Sequence, residues 1–275
     1  MSATLTMRDV VAEYSPGQPI LRGLTLAAEP GHLSVIIGPN GSGKSTALRV
    51  LAGLLIPTSG TVSLRTDSDE LDVSHVPAHE RAGRGIGFLP QGHSVFPAMS
   101  VHDNLLLGGW SVRRSRKISD AVASAYARYP ALADKRNAPA GSLSGGQQRI
   151  LELARSLIAD PSILLVDEPS AGVAPVVATL MYQELAQLRD EGRTVILVDQ
   201  DVRAALAVAD TVYVLKSGAV DRWGPTADFG DDLDALVRDW LALDPAADTP
   251  HADTPHASIP QADTPQANYA EEAHS

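Results

Sequence analysis

The sequence predicts an α/β fold with two additions, an antiparallel β subdomain at the N-terminus and a helical subdomain inserted into the core. Three observations predict it. The stretches "HLSVIIG", "SILLVDE" and "TVILVDQ" are short and largely apolar, as expected for parallel strands that are buried on both faces. The first 29 residues instead resemble two paired strands joined by a turn. Between residues 91 and 162 the pattern is helical.

The first elements follow directly from this plan. "TLTMRDVVAEY" and "LRGLTLAAE" are predicted strands, and the turn between them falls at Ser15-Pro16-Gly17. "HLSVIIG" is a buried strand that runs into glycines, and the helix after it is predicted over residues 44–55, "KSTALRVLAGLL". The glycines between strand and helix are the first candidate for a functional loop.

The inserted helical subdomain is predicted over about residues 92–160. Its helical segments are "VHDNLLLGGW", "ISDAVASAYARY" and "GGQQRILELARSLIA", and Pro161 stops the last of them. Two further buried strands, "SILLVDE" and "TVILVDQ", then return the chain to the core. Strands in "TVYVLKSGAV" and a helix over residues 233–243, "LDALVRDWLAL", close a domain that we expect to span residues 1–242.

The C-terminal segment differs from everything before it. Residues 247–266 contain four copies of a five-residue unit, ADTPH, ADTPH, ASIPQ and ADTPQ. A proline in every unit blocks a helix, and almost nothing apolar is present to form a core. Residues 243–275 are therefore expected to be a disordered, acidic, proline-repeat tail. The tail is either a solvated segment without a specific role or a docking or regulatory segment.

Composition excludes several classes of protein. The 275 residues include no cysteine, which excludes disulfides and thiolate metal sites. The net charge of −11 argues against a nucleic-acid-binding face. The N-terminus lacks the pattern of a signal peptide, and the apolar stretches are far shorter than the ~18 residues of a membrane span. We therefore expect a soluble or peripheral protein with no nucleic-acid partner.

The motif "GPNGSGKST" carries the strongest chemical signal. It satisfies G-x-x-x-x-G-K-[ST] between a predicted strand and a predicted helix, the context of a phosphate-binding P-loop. Glycines let the backbone wrap phosphates, and the helix N-terminus adds N–H donors. Lys44 should reach the β- and γ-phosphates, and Ser45 should ligate Mg²⁺. The predicted ATP-binding residues of this loop are Gly38, Pro39, Asn40, Gly41, Ser42, Gly43, Lys44, Ser45 and Thr46.

"SILLVDEPS" supplies the other half of a nucleotide site. Its apolar strand presents Asp167 and Glu168 at its carboxyl end. Asp167 would hold the Mg²⁺ shell, and Glu168 is placed to polarise the attacking water as general base. The alternative is a carboxylate pair that caps a turn.

A third motif, "LSGGQ" at residues 143–147, completes a pattern that resembles the ATP-binding-cassette (ABC) ATPases from about residue 3 to residue 222. The resemblance implies a P-loop NTPase core, ATP and Mg²⁺ as cofactors, and a second ABC ATPase subunit as partner. In that family the signature loop, here Ser144, Gly145, Gly146 and Gln147, closes over the γ-phosphate held by the second subunit. A plain capped helix start is the alternative.

The resemblance implies roles for other single positions. Tyr14 lies where the family stacks an aromatic ring on adenine, although it could equally be an ordinary strand residue. Gln91 matches a glutamine that contacts Mg²⁺ and the attacking water, whereas the alternative is a loop glutamine with no role. The segment after it, "GHSVFPAMSVHDNL", lies where the family docks its membrane subunit. Phe96 is assigned equally to that contact and to the core of the helical subdomain.

Several stretches resemble the ATPase subunits of branched-chain amino-acid importers, among them "YPAL", "SAGVAP" and "ILVDQD". Ala174 and Gln200 depart from the general family pattern, in which aspartate and histidine are common at these positions. Both departures resemble the importer subfamily, which also includes relatives proposed for urea and other small amides. Gln200 can donate a hydrogen bond to the γ-phosphate but cannot become a cation at neutral pH.

The sequence therefore predicts an Mg-dependent ATPase that drives a membrane transporter, with Glu168, Gln91, Gln200 and Lys44 as catalytic residues. The expected partners are a second ATPase subunit and transmembrane permease subunits, and the expected location is the cytoplasmic face of the membrane. A soluble ABC-type ATPase not coupled to transport is the alternative. Such proteins usually carry two cassettes, coiled-coil arms or zinc cysteines, none of which the sequence contains. An ATP-binding module without hydrolysis would not need intact Lys44, Gln91 and Glu168.

Overall fold

The structure is a computed structural model that describes residues 3–67, 69–92, 94–112 and 118–229. The helix predicted over residues 233–243, the domain end at residue 242 and the tail over residues 243–275 lie outside these ranges. Within them, no helix has the length and apolar character that a membrane crossing requires.

The core is a six-stranded sheet with the order β10-β9-β3-β8-β7-β6. Its inner neighbours pair in parallel, and β10 is antiparallel to β9. Every residue of β3, β7 and β8 is buried, as their apolar sequences predict for strands covered on both faces. The strand bounds are β3 Leu33–Ile37, β6 Ile86–Leu89, β7 Ile163–Asp167, β8 Thr194–Val198, β9 Thr211–Lys216 and β10 Ala219–Pro225.

A second sheet is antiparallel and has the order β2-β1-β4-β5. The hairpin predicted around Ser15-Pro16-Gly17 is present as β1 (Ala3–Glu13) paired with β2 (Pro19–Ala28). Two strands that the sequence analysis did not name, β4 (Ser59–Thr66) and β5 (Glu70–Asp72), extend it. The antiparallel β subdomain of the predicted fold class is confirmed.

Helices cover the parallel sheet and fill the insertion between β6 and β7. Their bounds are α1 Lys44–Leu51, α2 Ala78–Gly83, α3 Val101–Gly108, α4 Ile118–Arg128, α5 Pro130–Ala133, α6 Gly145–Leu157, α7 Pro175–Asp190 and α8 Val202–Leu206. Short 3₁₀ turns lie at Trp110–Val112, Ala140–Ser142 and Thr226–Asp228. Helix α1 ends four residues before the predicted residue 55, because Gly53 adopts a left-handed φ of 74° that stops the helix.

The inserted helices have an apolar cluster of their own, which confirms the predicted helical subdomain. Helix α6 belongs to two clusters at once. Leu151 and Ala154 pack with α3, α4 and α5, whereas Leu153 packs with the parallel sheet and α7. Helix α6 is therefore the element that joins the insertion to the core.

A buried arginine joins the end of α1 to the loop after β5. Arg81, on α2, is 1% exposed and burial lowers its pKa to about 10. Its guanidinium donates hydrogen bonds to five backbone carbonyls, those of Val50, Leu51, Val73, Ser74 and Val76. The contact fixes α2 beneath the helix that begins at the glycine-rich loop.

We expect Arg81→Met to lower the free energy of unfolding by about 3 kcal/mol or more, because each buried acceptor left without a donor costs about 1–3 kcal/mol. Urea unfolding followed by circular dichroism measures the loss. Arg84→Met is the matched control at the end of the same helix. Arg84 pairs only with Glu80 at 3.8 Å on the surface, and such a pair contributes about 0–1 kcal/mol. Equal losses in the two variants would contradict the assignment.

Candidate functional site

Four loops meet at the carboxyl edge of the parallel sheet. Residues 38–46 follow β3, Gln91 follows β6, Glu168 follows β7 and Gln200 follows β8. Parallel strands end at one edge, and ligands of open α/β sheets bind at this edge. The strand order alone thus brings the P-loop, Gln91, Glu168 and Gln200 to one place.

The glycine-rich loop is packed against its neighbours so closely that two positions require glycine. Gly38 has a φ of 150°, and a Cβ there would lie 2.3 Å from the carbonyl oxygen of Leu215. Gly43 has a φ of 104°, and its Cβ would lie 2.8 Å from Leu21 Cδ2. The loop is therefore fixed by β2 and β9 before any ligand arrives.

Lys44 begins α1 and folds back over the loop. Its ammonium donates to the carbonyl oxygens of Gly38 at 2.8 Å and Pro39 at 3.1 Å. Burial lowers the pKa of Lys44, while the carboxylates of Glu168 and Asp167 oppose that shift. Ser42 Oγ, in the same loop, is buried without a hydrogen-bond partner. The loop thus offers a cation and a free hydroxyl to an anionic ligand.

The next two predicted residues face different parts of the site. Ser45 Oγ donates to Asp167 Oδ1 at 3.0 Å, and burial raises the pKa of Asp167. Thr46 Oγ1 lies 3.5 Å from the hydroxyl of Tyr14 on the other side of α1. The Tyr14 ring is 53% exposed, and its hydroxyl accepts a hydrogen bond from Arg49 at 3.0 Å. The Arg49 guanidinium also lies over the ring, 5.9 Å from its centre, and the exposed part of Tyr14 offers area to a stacking partner.

Glu168 lies at the centre of the polar groups. Gln91 Nε2 donates to its Oε2 at 2.5 Å, and Gln200 Nε2 donates to Oε1 and Oε2 at 3.0 and 2.9 Å. Glu168 is only 6% exposed. Two neutral amides from loops after β6 and β8 thus hold one buried carboxylate from the loop after β7.

The backbone of Glu168 is also strained. Its φ is 45°, in the left-handed region that residues other than glycine rarely adopt. Its N–H continues the sheet ladder by donating to Val198 O at 2.7 Å. Strain of this kind persists only where the surroundings fix the conformation, and it concentrates at functional sites.

The signature residues lie apart, at the start of α6. Ser144 caps the helix by accepting a hydrogen bond from Gln147 N, and Gln147 Oε1 accepts in return from Ser144 N, which forms a capping box. A Cβ on Gly145 would meet nothing within 4 Å, whereas one on Gly146 would lie 2.5 Å from Val177 Cγ2. One glycine thus faces open space, and the other lets α6 approach α7.

Sequence reasoning missed residues that hold these loops together. Asp199 is 2% exposed and accepts hydrogen bonds from Ser170 Oγ at 2.6 Å and from the backbone of Asp201, so it joins the loops after β7 and β8. Arg149 is equally buried and bonds to the same region from α6. Asp199 follows a buried strand just as Asp167 does, and that position was the available signal.

The segment after Gln91 borders a cleft of about 480 Å³ between the helical subdomain and the core. Phe96 lines it and is 49% exposed, with the guanidinium of Arg155 5.4 Å from its ring centre. Placement of Phe96 in the core of the helical subdomain is therefore wrong. Leu54, 57% exposed, lies across the same cleft.

Comparison with known proteins identifies the class. A family model described as ABC transporter matches residues 21–171, more than half of the chain. The chain therefore belongs to the ABC transporter family, as an ATP-binding subunit that hydrolyses ATP. The resemblance and the fold class read from the sequence are confirmed.

Curated relatives point to more than one transported substrate. The chain is 33% identical over 222 residues to the lipopolysaccharide export ATP-binding protein LptB of Escherichia coli, which covers 78% of this chain and 88% of the relative. It is 34% identical to the branched-chain amino acid transport protein BraG of Pseudomonas aeruginosa, with 77% and 89% covered. LivF of Archaeoglobus fulgidus, a probable protein of that transport type, is 35% identical, with 68% and 78% covered.

Solved structures agree on the fold. An ATP-binding cassette in its ADP conformation superposes with a TM-score of 0.71 at 27% identity and covers 90% of this chain and 97% of its own. A dimeric cassette in a post-hydrolysis state with ADP and Pi gives a TM-score of 0.69 at 25% identity, with 81% and 98% covered. The cbiO1 protein of Clostridium perfringens gives 0.71 at 26% identity, with 88% and 95% covered.

Gln200 allows a graded test of the site. Gln200→Ala removes a neutral donor, which typically contributes about 0.5–1.5 kcal/mol, so ATP hydrolysis should slow about threefold to tenfold. Glu168→Gln should slow it by about 10²–10⁴, the contribution of a general base. Gln200→His should be tolerated because histidine can also donate to Glu168. Steady-state phosphate release measures all three variants. Loss of turnover in Gln200→Ala as complete as in Glu168→Gln would contradict the modest role.

Proposed function

We propose that this ATPase subunit drives a membrane transporter from the cytoplasmic face of the membrane and that it works as one of a pair. The observation that carries the proposal is the separation of its two phosphate-binding loops. The P-loop lies beside Glu168, whereas the signature loop at Ser144 opens at the start of α6. Each loop then serves a different nucleotide, one held by each subunit.

The P-loop and Lys44 bind the phosphates of ATP. Backbone N–H groups of residues 38–46 and of the first turn of α1 donate to phosphate oxygens. The Lys44 ammonium exchanges its two carbonyl acceptors for phosphate, and the negative charge of the ligand opposes the lowering of its pKa by burial. Tyr14 stacks on adenine with its exposed ring.

The chain offers oxygen donors that suit Mg²⁺ on the same side. Ser45 and Asp167 already converge at 3.0 Å, and Gln91 brings an amide oxygen from the loop after β6. Hydroxyl, carboxylate and amide oxygens are the hard ligands that Mg²⁺ prefers. These three residues would hold the ion, which when bound neutralises charge on the β- and γ-phosphates. Because burial disfavours the charged form of Asp167, a cation bound next to the carboxylate would stabilise it.

Glu168 takes a proton from the attacking water. A carboxylate acts as a general base when it is deprotonated and correctly oriented toward the water. The amides of Gln91 and Gln200 orient both carboxylate oxygens, and because the amides are neutral they do not cancel the charge. Gln91 and Gln200 therefore act on the same step as Glu168. Their positions in the loops after β6 and β8 keep the carboxylate in place while ATP binds.

The signature loop completes the site of the second subunit. The Ser144 hydroxyl accepts a hydrogen bond from the Gln147 backbone N–H. The first N–H groups of α6, on Gly145 and Gly146, are then left for an anion from outside the subunit. The exposed Gly145 lets that anion approach closely. The dimeric cassette among the similar solved structures supports such pairing.

Pairing can be tested with Glu168→Gln, which should trap ATP and hold two subunits together. We expect a dimer in size-exclusion chromatography with Mg-ATP and a monomer without it. Gly145→Asp in the same background is the matched control. Its side chain fits the open space in one subunit but repels the phosphate of the partner's nucleotide, so the dimer should be lost. A Glu168→Gln protein that stays monomeric with ATP contradicts the proposal.

The membrane partner is proposed to be a permease subunit that docks in the cleft beside Phe96. Leu54 and Phe96 both expose apolar side chains at this cleft, and a contiguous apolar patch rimmed by polar residues is typical of an interaction site. Leu54 and Phe96 line the cleft, and Arg155 places a cation within it. A short helix with an apolar face and an acidic residue has the matching chemistry.

We propose an importer of branched-chain amino acids or related small amides. BraG and LivF carry that transport name. In the sequence, Ala174 and Gln200 resemble the importer subfamily. Lipopolysaccharide export is the second candidate, because LptB matches to a similar extent.

A transport assay separates the two candidates. The chain is purified in mild detergent with its membrane subunits and reconstituted into vesicles. The vesicles enclose Mg-ATP, so that only complexes whose ATPase subunit faces inward can hydrolyse it. We expect labelled leucine or a small amide to accumulate inside, and no accumulation with Glu168→Gln. Stimulation of ATP hydrolysis by lipopolysaccharide, with no uptake of leucine or amide, would instead assign export.

A further inference from the structure

One buried side chain connects the signature helix to the hydrolytic residues of the same subunit. Arg149 lies on α6, five residues after Ser144, and its side chain is 3% exposed. Its guanidinium makes hydrogen bonds to two loops at once. The carbonyl acceptors are Pro90 at 3.1 Å, Gly92 at 3.1 Å, Asp167 at 3.4 Å, Glu168 at 3.1 Å and Pro169 at 3.3 Å.

These acceptors surround the two residues that meet at the reacting centre. Pro90 and Gly92 flank Gln91, and the other three carbonyls belong to the loop that carries Glu168. Gln91 and Glu168 are themselves joined at 2.5 Å. Arg149 therefore holds the backbones of both partners in that contact.

Glu152 fixes the guanidinium from one turn further along α6. Its Oε2 accepts from Arg149 Nη1 at 2.7 Å, and both side chains are almost fully buried. Its Oε1 accepts from the backbone N–H groups of Ser94 and, at 3.2 Å, Val95. The pair thus extends the same connection along the segment that follows Gln91.

The geometry points to Arg149 as a positioning residue through which the signature helix controls the hydrolytic carboxylate of its own subunit. The inference rests on the proposed pairing. When the signature loop contacts the nucleotide of the partner, α6 shifts, Arg149 moves with it, and the loops of Gln91 and Glu168 follow. Occupancy of one site then sets the hydrolysis rate at the other.

The shape of the side chain is essential to this role. A guanidinium carries five N–H donors in a rigid plane and can bridge two loops, whereas an ammonium has three donors at a single point. Arg149→Lys retains the charge opposite Glu152 but loses the bridge. The variant therefore separates charge and burial from positioning.

Arg81→Lys provides the matched control. Arg81 is also buried and also donates to several backbone carbonyls, but these lie at the end of α1 and after β5. The Arg81→Lys change removes a guanidinium with a comparable set of hydrogen bonds, but at a site that does not contact Glu168. Both variants should lose a similar amount of thermal stability. Any difference in kcat between them is then due to the location of Arg149 beside the loops of Gln91 and Glu168.

The experiment uses the full chain with Mg-ATP and measures kcat, ATP affinity and the Hill coefficient for ATP. For Arg149→Lys we expect kcat to fall about 10- to 100-fold, since a displacement of about 1 Å at a reacting group can cost about 10²-fold. ATP affinity should stay within about twofold, because the P-loop is untouched. The Hill coefficient should fall toward 1. Arg81→Lys should keep the parent kcat and Hill coefficient.

Three results would overturn the inference: an unchanged kcat in Arg149→Lys, an equal loss of kcat and affinity, or an unchanged Hill coefficient. If Arg149→Lys does not fold, Glu152→Gln takes its place, with a several-fold loss of kcat as the expected result. The Glu168→Gln dimer assay distinguishes this failure from failure of the pairing. A dimer that forms with ATP, together with an unaffected Arg149→Lys, contradicts the positioning role alone.

Discussion

The parallel pairing of β3 with β8 and of β8 with β7 is the constraint on which the site depends. It places the residues after each strand at one edge, with Ile36 opposite Val198 and Asp167 opposite the same valine. Because these strands are buried on both faces, a slip in register would exchange the side chains that pack on the two faces, and the close packing of the core disfavours that exchange. The positions of Lys44, Glu168 and Gln200 are consequences of that register.

Charge is concentrated where the sheet ends. Lys44, Asp167 and Glu168 are all buried. Burial disfavours the charged forms of Lys44 and Asp167. The free subunit offsets that cost with hydrogen bonds to backbone carbonyls, to Ser45 and to two amides. An anionic nucleotide next to Lys44 would offset the cost further, so the burial of these groups suits a ligand-binding site better than it suits the stability of the free chain.

Some motifs can be recognised from the sequence because their function depends on residues that are close together along the chain. A glycine with a positive φ, a lysine at a helix start and a capping serine act through neighbours in the sequence, so the P-loop and the Ser144 cap could be located without a structure. The end of α1 at Leu51 was missed because Gly53 was treated as a helix residue. The roles of Arg149 and Asp199 are not evident from the sequence because the loops that they join lie 18 or more residues away along the chain.

The sequence by itself determined the α/β class, the N-terminal hairpin, the buried strands, the P-loop and the Asp-Glu motif, which follow from periodicity and spacing. The roles of Gln91, Gln200 and the signature loop came from the resemblance to the ABC ATPases. Only the tertiary structure decided which residues meet: Gln91 with Glu168 across 77 positions and Ser45 with Asp167 across 122. The physical reason is that such contacts are set by sheet order and packing, in which residues distant along the chain share one edge.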